Sequence, residues 1–133
     1  MKIIYVAGPY RAKTVRGMVE NIRRAEAAAL HLWKAGWAVI CPHKNTELFD
    51  GHCADDVWLR GDLAILSRCD AVYMLNGWEN SEGATEEHRL AQKLGLTVMY
   101  QMGEGDIENP FEDIAGYGML GPYLRGKPKK EWE

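Results

Sequence analysis

Short apolar runs alternate with amphipathic stretches along most of this chain. Ile3 to Ala7 is an unbroken apolar run closed by Gly8-Pro9, the pattern of a strand buried on both faces. Between Asn21 and Ala35, Ile22, Ala25, Ala28 or Ala29, and Leu32 recur at helical spacing, and Gly36 ends the segment. Ala38 to Cys41 predicts a second short strand, stopped by Pro42, and His43 to Ala54 has no clear period and reads as a loop. Asp55 or Asp56 caps a predicted helix to about Ser67, with Leu59, Leu63 and Leu66 on one face. Ala71 to Leu75 predicts a third strand and Gly77 to Glu82 a loop. Gly83 to Leu94 predicts a helix stopped by Gly95, and Thr97 to Gln101 a fourth strand. The order β-α-β-α-β-α-β implies an α/β fold, flavodoxin-like or Rossmann-like, with a parallel sheet of four to five strands and helices on both faces.

One position breaks this pattern. In the helix after the third strand the apolar stripe is Ala84, Ala91 and Leu94, and Glu87 falls on it. A carboxylate on a core-facing stripe is costly unless it is paired or put to use. It also stands just beyond the carboxyl end of a strand, where an α/β sheet opens its ligand crevice. The bland alternative makes Glu86 and Glu87 both first-turn glutamates that favour the helix N-terminus. That accounts well for Glu86 and less well for Glu87, which shares its face with alanines and a leucine.

Composition narrows the function. The 133 residues fit one domain with a real core, and 47% hydrophobic and 26% charged residues are ordinary for a soluble globular protein. Net charge is −3, with no basic block before Lys127-Pro128-Lys129-Lys130, which argues against a DNA or RNA polymer as partner. The apolar runs are too short for a membrane span. Met1 to Gly8 is too short for a signal-peptide core. Cys41, Cys53 and Cys69 are odd in number, lack CxxC spacing and read as reduced thiols of a cytoplasmic protein. His43 and His52 match no common metal spacing, so no metal and no cofactor is expected.

Residues 1–102 form the predicted α/β domain. Residues 103–133 form a C-terminal extension rich in Gly, Pro and acidic residues, with a possible short helix in 107–115 and a tail ending at Trp132 and Glu133. Five tryptophans are more aromatic surface than a monomer of this size easily buries, so a homo-oligomer with the extension at or near its interface is expected.

Candidate chemistry collects where the strands end. Gly8 lets the backbone turn tightly and approach a ligand, and Arg11 is able to hold a phosphate or carboxylate, although a solvated arginine on a plain turn is the simpler reading. The segment is neither GxGxxG nor a Walker loop, which disfavours ordinary dinucleotide or triphosphate binding. Asp62 lies beside the Leu59-Leu63-Leu66 stripe, as a reactive acid or a solvated one. Ser81 is placed to cap the Glu87 helix or to bind an anion with its amides.

Taken together, these segments resemble the nucleoside 2-deoxyribosyltransferase superfamily, above all its small phage and bacterial members of uncharacterised function. The resemblance rests on Ile4-Tyr5-Val6-Ala7-Gly8-Pro9-Tyr10, on Asp62-Leu63 with Asp70 eight residues later, and on Ser81-Glu82-Gly83-Ala84-Thr85-Glu86-Glu87 with Ala91, and spans residues 3 to 101. It implies cleavage or transfer at the N-glycosidic bond of a 2′-deoxynucleoside or its 5′-monophosphate. Glu87 would be the nucleophile, Asp62 would handle sugar hydroxyls or protons, and Tyr5 would orient Glu87. Gly8, Arg11, Ser81 and Gly83 would contact the substrate. Ser81 stands where many of the transferases have aspartate and the related deoxynucleoside monophosphate N-glycosidases have serine. Arg11 matches a phosphate-holding arginine of those glycosidases, whereas Pro9 replaces their serine. The resemblance also implies a homo-oligomer. The rival from another class is a non-catalytic nucleotide-binding module, a sensor or a sequestering protein. A flavin carrier is a weaker rival, because Pro9-Tyr10-Arg11-Ala12 lacks the hydroxyl- and glycine-rich character of a flavin loop.

Overall fold

The computed structural model describes residues 1–102. The extension 103–133, with its expected short helix, its terminal Trp132 and its place at an interface, lies outside the described residues.

Four strands form one all-parallel sheet: β1 (Ile3–Ala7), β2 (Ala38–Ile40), β3 (Ala71–Met74) and β4 (Thr97–Tyr100), in spatial order β2-β1-β3-β4. Four helices join them: α1 (Val15–Lys34), α2 (Pro42–Asn45), α3 (Asp55–Leu66) and α4 (Glu82–Leu94). This is the expected α/β architecture. Because β1 leads outward to β2 while β3 lies on its other side, the strand order reverses between β1 and β3, and a crevice opens there at the carboxyl ends.

Alternation along β1 sends side chains to two separate cores. Ile4 and Val6 join Ala25, Ala28, Ala29 and Leu32 of α1, with Trp37 beneath them. Tyr5 and Ala7 join Leu66 of α3 and Ala84 and Ala91 of α4. α1 therefore covers one face, and α3 and α4 cover the other.

Several boundaries differ from the sequence pattern. α1 begins at Val15, because Thr14 Oγ1 accepts from the Gly17 amide at 3.0 Å and starts the helix within a solvated stretch that carries no apolar period. Pro42 does more than stop β2: it opens the short helix α2, where a missing N–H costs nothing. Asp55 and Asp56 occupy the first turn of α3, and Ala54 stands at its cap position. The loop before α4 contains a 3-10 turn over Trp78–Asn80. Leu94 is corrected outright: it is 46% exposed and does not belong to the buried stripe. Gly95, at φ 73°, closes the helix, and the Leu96 amide donates back to the Ala91 carbonyl at 2.9 Å. This closure folds Leu96 onto the core in place of Leu94.

Among the described residues no helix is long and apolar enough to cross a membrane. All three cysteines are free thiols.

Candidate active site

The crevice at the β1/β3 reversal is a cleft of about 540 Å³, walled by the loop after β1, by α2, by α3 and by the start of α4. Gly8, Arg11, Asp62, Ser81, Gly83 and Glu87 all line it. Tyr5 sits fully buried beneath the cleft, on the strand that carries Gly8.

Glu87 is buried, whereas its neighbour Glu86 is exposed and pairs with Arg89 one turn on. Helical geometry turns one glutamate to water and the other to the sheet. There the Tyr5 hydroxyl donates a hydrogen bond to Glu87 Oε2. Burial pushes the Glu87 carboxyl up to about 8, the Tyr5 bond draws it back down, and the charge of Asp62 adds to the rise. Asp62, also desolvated in the cleft wall, is pushed up to about 6. Burial, with the carboxyls of Glu87 and Asp62 near it, holds the Tyr5 hydroxyl well above the ordinary phenol range. Tyr5 is thus a neutral donor at every physiological pH. Two coupled carboxyls with raised and unequal proton affinities are the kind of pair that acid–base chemistry uses.

The remaining expected residues serve structural roles as well. A Cβ on Gly8 would come within 2.7 Å of Leu75, so close packing of strand ends already demands glycine there. The nearest atom to a Cβ on Gly83 is Leu59 Cδ1 at 4.0 Å, an ordinary contact, so packing alone does not demand glycine there. Ser81 caps α4, its Oγ accepting from the Ala84 amide at 3.2 Å. Arg11 reaches the cleft mouth with an exposed side chain that is ion-paired to Asp55. Asp70 is not part of the site. It stands at the opposite end of the sheet, where its Oδ2 accepts from the Ile3 amide at 2.8 Å.

Among the cleft residues that escaped the sequence pattern are Tyr10, His43 and Asp50. The Tyr10 hydroxyl donates to Asp50 Oδ1 at 2.6 Å and accepts from the Leu48 amide at 3.2 Å, which anchors the loop after α2. His43 is buried against Tyr10, ring edge to face, with centroids 5.7 Å apart. Its Nε2 lies 2.8 Å from the Pro9 carbonyl, an acceptor only, so Nε2 carries the proton and Nδ1 does not. Burial keeps the ring neutral. The available signal was positional: a histidine directly after a parallel strand stands at the ligand end of the sheet. Among the described residues no group of three His, Cys, Asp or Glu side chains is arranged to hold a metal ion.

Residues 2–100 match a domain of unknown function, DUF4406. The chain belongs to that family. No curated protein matches it. Among solved structures it is similar to a 2-deoxyribosyltransferase from Bacillus psychrosaccharolyticus, with 20% identity and a TM-score of 0.59 over 80% of this chain and 76% of that one. The likeness establishes a shared fold, and the family match runs through every strand and through all the cleft residues named above.

Proposed function

We propose that this protein cleaves or transfers at the N-glycosidic bond of a 2′-deoxynucleoside or its 5′-monophosphate, with Glu87 as nucleophile. The observation that carries the proposal is a buried carboxyl, bonded to a buried tyrosine, at the crevice of the β1/β3 reversal. The shared fold with a 2-deoxyribosyltransferase supports it.

The chemistry needs Glu87 ionised and Asp62 protonated, the reverse of the order in which the two carboxyls hold their protons. A Glu87 oxygen attacks the anomeric carbon, the C–N bond breaks, and its electron pair leaves on the base. Asp62 supplies a proton to a base that would otherwise depart as an anion. The Tyr5 hydroxyl fixes the second Glu87 oxygen and stabilises the ionised form. Water or a second base then attacks the same carbon, and the Glu87 carboxylate is released. Glu87 must be ionised to act, so base release should rise as pH climbs toward about 8. Loss of the Asp62 proton above about 6 opposes this rise for a neutral base.

The raised proton affinity of Glu87 also favours a second reading, a non-catalytic binding module in which a neutral carboxyl donates to a nucleotide. Base release from a panel of deoxynucleosides and monophosphates, wild type beside Glu87→Gln, separates the two. An enzyme releases base and loses the activity with Glu87→Gln. Binding without release by the wild type selects the module.

The same reading includes a homo-oligomer in the cytoplasm, with residues 103–133 as an extension at or near its interface. Light scattering checks the assembly, and a clean 15.0 kDa species would refute it. Truncation after Met102 checks the extension. An unchanged oligomer with unchanged base release would show that it is dispensable.

A further inference from the structure

The cleft described above is built to accept protons and positive charge. Six carboxyl side chains line it: Asp50, Asp55, Asp56, Asp62, Glu82 and Glu87. The cation on its walls is Arg11, which is already paired with Asp55. Ser81, the hydroxyl nearest the start of α4, spends its oxygen on the Ala84 amide, and Glu82 places a carboxylate in the first turn of the same helix. Arg11 is thus neutralised within the protein, the Ser81 hydroxyl keeps its proton to donate, and an anion entering the cleft meets more carboxylates than cations. The neutral groups point the same way. Tyr10 and Trp58 add aromatic surface to the lining, and Phe49 packs beside Trp58 with ring centroids 5.9 Å apart. Aromatic faces attract cations.

We infer that the cleft discriminates against a 5′-phosphate and takes the free nucleoside, and that it binds best a nucleoside whose base carries a positive charge at neutral pH, such as an N-methylated purine. This inference rests on the glycosidic reading for the identity of the ligand and extends it to ligand charge. It also simplifies the chemistry. When the C–N bond of a cationic base breaks, the electron pair neutralises the base, and no proton from Asp62 is required. Like charges repel and opposite charges attract across a low-dielectric cleft, and both effects weaken with salt.

The test compares three ligands of nearly identical shape: N1-methyl-2′-deoxyadenosine, 2′-deoxyadenosine and 2′-deoxyadenosine 5′-monophosphate. Calorimetric binding to the full-length Glu87→Gln chain should follow that order. The cation should bind at least about tenfold more tightly than the monophosphate, the scale of one favourable charge contact. High salt should narrow the gap. Asp55→Asn, which frees Arg11, should strengthen monophosphate binding and weaken that of the cation. Base release by the wild type provides the second readout, with Asp62→Asn slowing release from 2′-deoxyadenosine far more than from the methylated nucleoside. Binding of the monophosphate as tight as that of the nucleoside would overturn the inference. Binding in the expected order without base release would leave the charge preference standing and remove the glycosidic reading. Failure of all three ligands to bind would remove both.

Discussion

The two faces of the sheet are built on different terms. The face under α1 is sealed by Ile4, Val6, Ala25, Ala28, Leu32 and Trp37, all buried, and it resembles an ordinary hydrophobic core. The face under α3 and α4 shares the same strands, yet Tyr5 and Glu87 are set among its aliphatic side chains and Asp62 stands at its edge. One face gains stability from apolar area removed from water. The other gives up part of that gain to keep two carboxyls desolvated. Costly polar burial confined to one face, at the ligand end of the sheet, is what separates a site from a core.

The largest effect that tests this contrast is pH dependence. Glu87 has a folded value of about 8 against an ordinary 4.5, so the folded state holds its proton more tightly than the unfolded chain. The associated stability is fully present below about 4.5 and is lost as pH rises through about 8, at a slope approaching 1.4 kcal/mol per pH unit. Asp62 adds a smaller loss of the same sign between 3.8 and about 6. Thermal melts from pH 5 to 9 should show wild-type stability falling, and Glu87→Gln should flatten the curve above pH 6. An equal slope in the variant would break the contrast.

On the sealed face, Leu32→Ala should cost about 3 kcal/mol in denaturant unfolding through the cavity it leaves, with little dependence on pH. A cost below about 1 kcal/mol would mean that the α1 face is looser than it looks. Tyr5→Phe should cost about 1 kcal/mol, because it removes a buried hydrogen bond while keeping the ring. Since the Tyr5 bond draws the Glu87 carboxyl down, the same variant should push it further up and move the pH midpoint of the stability loss to the alkaline side. A midpoint that stays put would show that the bond does not act on Glu87. The smallest effect belongs to Leu94→Ala, expected within about 0.5 kcal/mol because that side chain is largely in water. A loss of about 2 kcal/mol or more, the scale of a buried leucine, would return Leu94 to the core.

Much of this was legible from the order of residues. Apolar runs of strand length alternating with helical periods determine a parallel α/β sheet, since parallel neighbours need crossover helices. The placement of Glu87 on the stripe of Ala84 and Ala91 was equally visible, because a helix converts sequence spacing directly into a face. Spacing could not say that Leu96 would take the place of Leu94. That depended on how Gly95 closes the helix against the sheet. Nor could it show that Arg11 is held by Asp55, or that His43 and Tyr10 meet at the cleft. Those partners come from different crossovers, and only the packing of α1, α2 and α3 around the β1/β3 reversal brings them together. Local periodicity determined which faces are buried. The long-range register of the sheet decided which charges meet inside the cleft, and so what kind of ligand the cleft is fit to hold.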